Sequence, residues 1–172
     1  MNSCERATEK ERAINRKKPL FRLLSISLVL VLSSCATLVV DKPGGFAEVQ
    51  SIGYAASQAA YKAVSPEGLL YRVRTEANYP PQSLDFWAEA LKNHLVKEGY
   101  TIVGDGESFQ AGELPGVIFE WVMPYGQESY IYLTAIIVSE EKIAIAEAAA
   151  EHSIYHEHRD ALRQSLLSIR FQ

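Results

Sequence analysis

Three consecutive segments, residues 117–123, 129–138 and 142–149, read with period two, and both of their faces are largely apolar. Side chains along a strand point alternately to opposite sides of a sheet, so a sheet built from these segments cannot leave either side in water. If Met123 pairs with Glu128 across a turn at Pro124-Tyr125-Gly126-Gln127, Trp121 lies opposite Tyr130 and Phe119 opposite Tyr132. One face then carries a four-membered aromatic ladder. The other carries Ile118, Val122, Ile131, Leu133 and Ile137 beside a row of small residues, Ala144, Ala146 and Ala148. A helical layer must cover each side.

Two segments have the periodicity to supply those layers. After Pro80-Pro81-Gln82, Ser83 is placed to cap a helix that Gly99 ends, with Leu84, Trp87, Ala88, Leu91 and Leu95 as its buried stripe. Residues 153–170 form a second helix, with Ile154, Tyr155, His158, Leu162, Leu166 and Ile169 on one side. Upstream, Ser65-Pro66-Glu67-Gly68 has the chemistry of a type I turn and joins residues 59–64 to 69–76 as a β-hairpin. Tyr71, Val73 and Thr75 occupy one face of that hairpin and Leu70, Arg72 and Arg74 the other. A short strand, 100–103, is expected to turn at Gly104-Asp105-Gly106. The expected fold class is α+β: a three-layer α/β/α sandwich around a central antiparallel sheet, one domain over residues 46–172.

The N-terminus carries an address. A basic run, Arg16 to Arg22, precedes about ten apolar residues and then Leu32-Ser33-Ser34-Cys35. A charged start, a short apolar stretch and small residues at the exit make a cleaved export signal over residues 1–34. Leu32-Ser33-Ser34-Cys35 resembles the bacterial lipobox, which implies that the Cys35 thiol takes a diacylglycerol group and that cleavage frees its amine for a further acyl chain such as palmitate. Two or more chains anchor a protein stably, whereas one does so marginally. The 18 uncharged residues between Arg22 and Asp41 also suffice for an uncleaved membrane helix. Positive flanks stay in the cytoplasm in either case, so the domain lies outside it. Residues 35–45, with Pro43-Gly44-Gly45, read as the lipidated cysteine and a tether. Ala36-Thr37 after the cysteine, in place of an aspartate, resembles lipoproteins sorted to the outer membrane, facing the periplasm.

Charge and cysteine content narrow the functional classes. Residues 1–34 hold seven Lys/Arg against three Asp/Glu, which leaves ten basic and eighteen acidic residues beyond them. So acidic a body repels nucleic-acid phosphates. The two cysteines, Cys4 and Cys35, both precede the domain, so no disulfide holds it together. Gly-x-Ser-x-Gly, His-Glu-x-x-His and phosphate-loop signatures are absent, and no cofactor motif is present. Gly104-Asp105-Gly106-Glu107 falls far short of a calcium loop.

Three constellations remain. His152 and His156 are spaced i, i+4 on a helix and can chelate a metal, while His158 points elsewhere. Glu120 and Glu147 sit inside apolar strands, so each must be at an edge, paired or lining a pocket. The ladder of Phe119, Trp121, Tyr130 and Tyr132 is either core or an aromatic groove for a partner.

The order of elements resembles the PsbP-like fold: a Ser-Pro-Glu-Gly hairpin, a helix ending Val-Lys-Glu-Gly-Tyr, a three-strand meander and a C-terminal amphipathic helix. That fold occurs in an extrinsic subunit of photosystem II, in a nuclear Ran-binding protein and in DcrB-like bacterial lipoproteins. The resemblance covers residues 46–172 and implies a binder or assembly factor without shared catalytic residues. Two expectations follow. One is a non-enzymatic envelope lipoprotein, held to the membrane at Cys35 and binding an envelope protein. The other is a small-molecule or metal-binding periplasmic domain, or an enzyme, using His152/His156 or Glu120.

Overall fold

A computed structural model describes residues 37–49, 61–125 and 128–172. The expected export signal and Cys35 lie outside these residues, as do 59 and 60 of the expected hairpin. The strands are β1 (Leu38–Val39), β2 (Ala47–Glu48), β3 (Tyr61–Val64), β4 (Leu70–Ala77), β5 (Thr101–Ala111), β6 (Leu114–Tyr125), β7 (Glu128–Val138), β8 (Lys142–Glu151) and β9 (Arg170–Phe171). Helix α1 (Leu84–Lys97) separates β4 from β5, and α2 (His152–Leu167) separates β8 from β9. Seven strands form an antiparallel sheet in the order β2-β3-β4-β8-β7-β6-β5, and β1 pairs with β9 in a small second sheet. Helix α1 carries the chain from β4 to the far edge at β5. Three hairpins bring it back beside β4, and α2 then crosses the opposite face. The architecture is the expected sandwich.

Local chemistry sets the boundaries. In the β3–β4 turn the Gly68 N–H donates to the Ser65 carbonyl at 3.0 Å, and Gly68 sits at φ +91°. Ser83 caps α1 by accepting from the Phe86 N–H at 3.3 Å. At the other end Gly99, with φ +93°, donates to the Val96 carbonyl and Tyr100 donates to that of Leu95, a Schellman arrangement.

Each face has its own core. Under α2 lie Ile118, Ile131, Leu133, Ala135 and Ile137, with Tyr155, Leu162 and Leu166 of the helix. Ala144, Ala146 and Ala148 are buried in the same cluster, where their lack of bulk lets the helix approach the strands. Under α1 lie Phe119, Trp121, Ile136, Val138 and Ile143, with Leu95 buried and Leu84, Trp87, Ala88 and Leu91 half-buried. Helix α1 packs over β5, β6 and β7. Towards β4 the same face is open, with Leu70 46% exposed and Ala149 exposed.

Four expectations are corrected. Met123 pairs with Tyr130, not Glu128, because β6 runs on to Tyr125 opposite Glu128 and only residues 126–127 connect the strands. Trp121 therefore faces Tyr132, and Phe119 faces Thr134. A shift of two leaves every side chain on its expected face. Gly104-Asp105-Gly106 is not a turn. It is a bulge inside β5, which continues to Ala111 after the register slips between Val103 and Glu107. Gly104 and Gly106 absorb the slip at φ +72° and +89°. A Cβ on Gly106 would lie 2.4 Å from the Phe119 ring, so the bare backbone there also makes room for that side chain.

The second helix stops at Leu167, and Arg170–Phe171 turns into β9. Its partner, β1, falls within residues 35–45, which were expected to be a tether. From Thr37 onward that segment is folded. Thr37 and Gln172 exchange backbone hydrogen bonds, the Asp41 N–H donates to Ser168 Oγ at 2.8 Å, Ser165 Oγ donates to the Asp41 carbonyl at 2.6 Å, and Pro43 is fully buried. Among the described residues no helix is long and apolar enough to cross a membrane.

Candidate functional site

Both strand carboxylates are paired, and each is met in the same way, by one tyrosine and by arginine. Glu147 points to the α1 face at the edge of the open region, with its side chain 9% exposed. Arg72 of β4, directly opposite, donates from Nε to Oε2 at 2.8 Å and from Nη2 to Oε1 at 3.1 Å. Arg74 adds a longer contact from Nε at 3.4 Å, and the Tyr132 hydroxyl donates to Oε1 at 2.5 Å. Burial by itself raises the pKa of such a carboxyl. Here the hydrogen bonds from Arg72 and Tyr132 and the charges of Arg72 and Arg74 outweigh it and hold Glu147 below its ordinary value of 4.5. Tyr132 is pushed upward by burial first and then by its bond to the carboxylate, so its phenol is neutral.

On the α2 face the Tyr155 hydroxyl donates to Glu120 Oε1 at 2.8 Å, and Arg159 Nε reaches the same oxygen at 2.8 Å. One helical turn further on, Arg163 forks onto Glu107 beside the β5 bulge. A small cavity of about 170 Å³ lies between these pairs, lined by Gly104, Gly106, Glu107, Glu120, Arg159 and Arg163 among others. Both oxygens of Glu147 are engaged by arginines and a hydroxyl, whereas at Glu120 the hydroxyl and the guanidinium share Oε1. Their chemistry is to pin elements together: Glu147 joins β4, β7 and β8, and Glu120 joins β6 to α2. Tyr155→Phe is expected to lower stability by about 1 kcal/mol, read as a fall in urea midpoint with an unchanged m-value.

The histidines divide as their spacing suggested. His158 is largely buried between α2 and the β3–β4 turn, with Nε2 2.8 Å from Glu67 Oε2 and its ring edge-on to Phe46 at 5.2 Å. The hydrogen bond from His158 holds the Glu67 carboxyl below its ordinary value. His152 and His156 are exposed, and their Nε2 atoms face each other at 3.1 Å. Among the described residues no cluster of three or more His, Cys, Asp or Glu side chains is arranged to hold a metal. The pair offers two donors where zinc takes at least three from protein.

The aromatic ladder does not form a groove. Phe119 and Trp121 are closed off beneath α1, Trp121 completely, with its Nε1 donating to Thr134 Oγ1 at 2.9 Å. Tyr130 and Tyr132 are half-buried, and Tyr132 stands at the margin of α1 against Tyr100. What this face offers a partner is the strip beyond α1: Tyr130 and Tyr132 on β7, Leu70 on β4 with Ala149 between the two strands, and Arg72 next to Leu70, its side chain 47% exposed. Arg72 and Arg74 were visible in the sequence as the polar side of a hairpin. Their role around Glu147 was not, because the partner lies 75 residues away.

This two-helix, antiparallel-sheet sandwich is a PsbP-like fold. No protein-family model matches the chain, and no curated protein does. Among solved structures it is similar to LpqN of Mycobacterium tuberculosis, described as involved in cell envelope biogenesis, with 11% identity and a TM-score of 0.60 over 82% of this chain and 87% of that one. It is also similar to cyanobacterial PsbP from Synechocystis sp. PCC 6803, with 8% identity and a TM-score of 0.54 over 81% and 95% of the two chains. A Pseudomonas aeruginosa protein of unknown function, PA94, matches with 8% identity and a TM-score of 0.52, over 77% of this chain and 81% of that one.

Proposed function

We propose that the protein is a lipid-anchored component of the cell envelope, carried on the outer membrane at Cys35 and facing the periplasm, whose domain is a non-enzymatic binding or assembly module for another envelope protein. The observation that carries the reading is the strip between α1 and β3. It combines an exposed leucine, a half-exposed arginine and two tyrosines with an ion-pair network already satisfied within the fold, so a partner meets a rigid surface. The lipobox residues Leu32-Ser33-Ser34-Cys35 and the likeness in fold to LpqN, an envelope-biogenesis protein, support the location. The acidic body supports a protein partner over a nucleic acid.

The test places a photo-crosslinking residue at Leu70 in the native cell, with the exposed Asp160 of α2 as the control position. The expected result is one envelope protein joined reproducibly at position 70, absent at position 160 and lost in a Cys35→Ala strain. A lipidated, folded protein that gives no adduct specific to position 70 removes this surface from consideration.

A further inference from the structure

The folding of residues 37–45 leaves a single residue, Ala36, between Cys35 and the first hydrogen-bonded position of the domain, Thr37. Two residues of extended chain span about 7 Å. A lipid on Cys35 therefore brings Thr37 into the headgroup region, and the domain cannot swing away on a tether.

Sheet topology says which end of the domain that is. Thr37 pairs with Gln172 next to β9, and Arg170 and Phe171 of β9 line a groove of about 550 Å³ together with the β5–β6 turn at Gly112-Glu113 and the β7–β8 turn at Ser139 to Glu141. The segment leading into α1 joins this pole as well, since the Asn78 N–H donates to the Glu141 carbonyl at 2.8 Å and Asn78 Nδ2 donates to that of Ser139 at 2.9 Å. Next to Asn78 stands Tyr79, 84% exposed, and the first turn of α1 presents Phe86, 50% exposed. Leu167, at the C-terminal end of α2 just before β9, is also exposed. Leu70, Val96 and Val103 are exposed elsewhere, but both large aromatic side chains that stand exposed among the described residues, Tyr79 and Phe86, are at the end where the anchor enters. Tyrosine and phenylalanine in such a position suit the interface of a bilayer, where a ring meets acyl chains and a hydroxyl meets headgroups. Charge at the groove is mixed, Lys142 and Arg170 against Glu113, Glu140 and Glu141, so attraction to anionic lipid is not what holds this surface down.

We propose that this pole is a membrane-contact surface: with Cys35 acylated, the domain stands on the bilayer with Tyr79 and Phe86 in its interface and the opposite pole, at Glu98 and the β5 bulge, directed away from it. The orientation rests on the lipoprotein reading of Cys35 and adds to it a fixed face.

The described domain contains no cysteine, and acylation blocks the Cys35 sulfur, so one introduced thiol can be labelled alone. Tyr79→Cys, in the segment leading into α1, and Glu98→Cys, at the far end of that helix of about 20 Å, are each labelled with an environment-sensitive dye in the full-length protein purified from membranes. Both are reconstituted in phosphatidylcholine vesicles carrying brominated acyl chains. Mass spectrometry of the N-terminal peptide reports acylation independently. Several-fold stronger quenching at position 79 than at position 98 supports the orientation. Equal, weak quenching with Cys35 acylated overturns the orientation and leaves the lipoprotein reading standing. An unacylated Cys35 overturns both.

Discussion

Trp121→Ala is expected to destabilise the domain by about 3–5 kcal/mol, the largest single effect of any aromatic in the ladder. The indole is completely buried beneath α1, packs on Phe119 at 5.8 Å between centroids, and donates to Thr134 Oγ1 at 2.9 Å. Truncation opens a cavity that the surrounding strands cannot collapse to fill, and it leaves a buried hydroxyl without its donor. Tyr130→Ala, at a half-buried position of the same face, is expected to cost about 1 kcal/mol. Chemical denaturation of both variants checks the pair. A Trp121 variant as stable as the Tyr130 variant would mean that α1 does not close this face and that the ladder is open to a ligand.

Removing Glu147 is expected to come second, at about 2–3 kcal/mol for Glu147→Ala. The loss stays below that of a fully buried ion pair because Arg72 is half in water and can be resolvated. Tyr132, half-buried and deprived of its acceptor, carries much of the cost. The pH dependence follows from the direction of the shift. The folded-state value of Glu147 lies below its ordinary 4.5, so its contribution is complete above that pH and is lost as pH falls through the folded value. Glu147→Gln should therefore unfold at a lower midpoint at neutral pH and lose less than the native protein on acidification. Glu67 and Glu107 are lowered as well, so the acid limb flattens without disappearing. Thermal unfolding at a series of pH values reads this directly, and parallel curves for the two proteins would show that the Arg72 and Tyr132 bonds do not hold the carboxylate in its charged form.

Much of the architecture was legible because it is written locally. Ser83 and Gly99 bracket α1 through bonds that reach three to five residues along the chain, and Ser65 to Gly68 close their hairpin within four. Residues with apolar character on both strand faces demanded two covering layers, and the helices with matching stripes lie where the order of elements placed them. The histidines were legible in part: spacing separated His158 from His152 and His156, while the contact with Glu67, 91 residues distant, was not available from spacing. The Gly104-Asp105-Gly106 bulge shows the opposite failure. Its glycines correctly signalled positive φ, but a bulge and a turn use the same residues, and the difference is whether the chain afterwards returns to the same neighbouring strand.

Taken alone, the sequence determined which residues share a face, where regular structure starts and stops, and that both faces need cover. These depend on a period of two or 3.6 residues and on backbone chemistry within one turn. Only the tertiary structure decided partners. A period assigns a side but not an opposite number, so the β6–β7 register moved by two when the connection proved to be residues 126–127. It also decided that Glu147 meets Arg72 and Glu120 meets Arg159, across 75 and 39 residues, because buried charges choose among all cations the fold brings near. The zipper of β1 with β9, two residues each, is too short to carry a pattern; it exists because Leu38, Val40 and Phe171 find the edge of a core built by the rest of the chain.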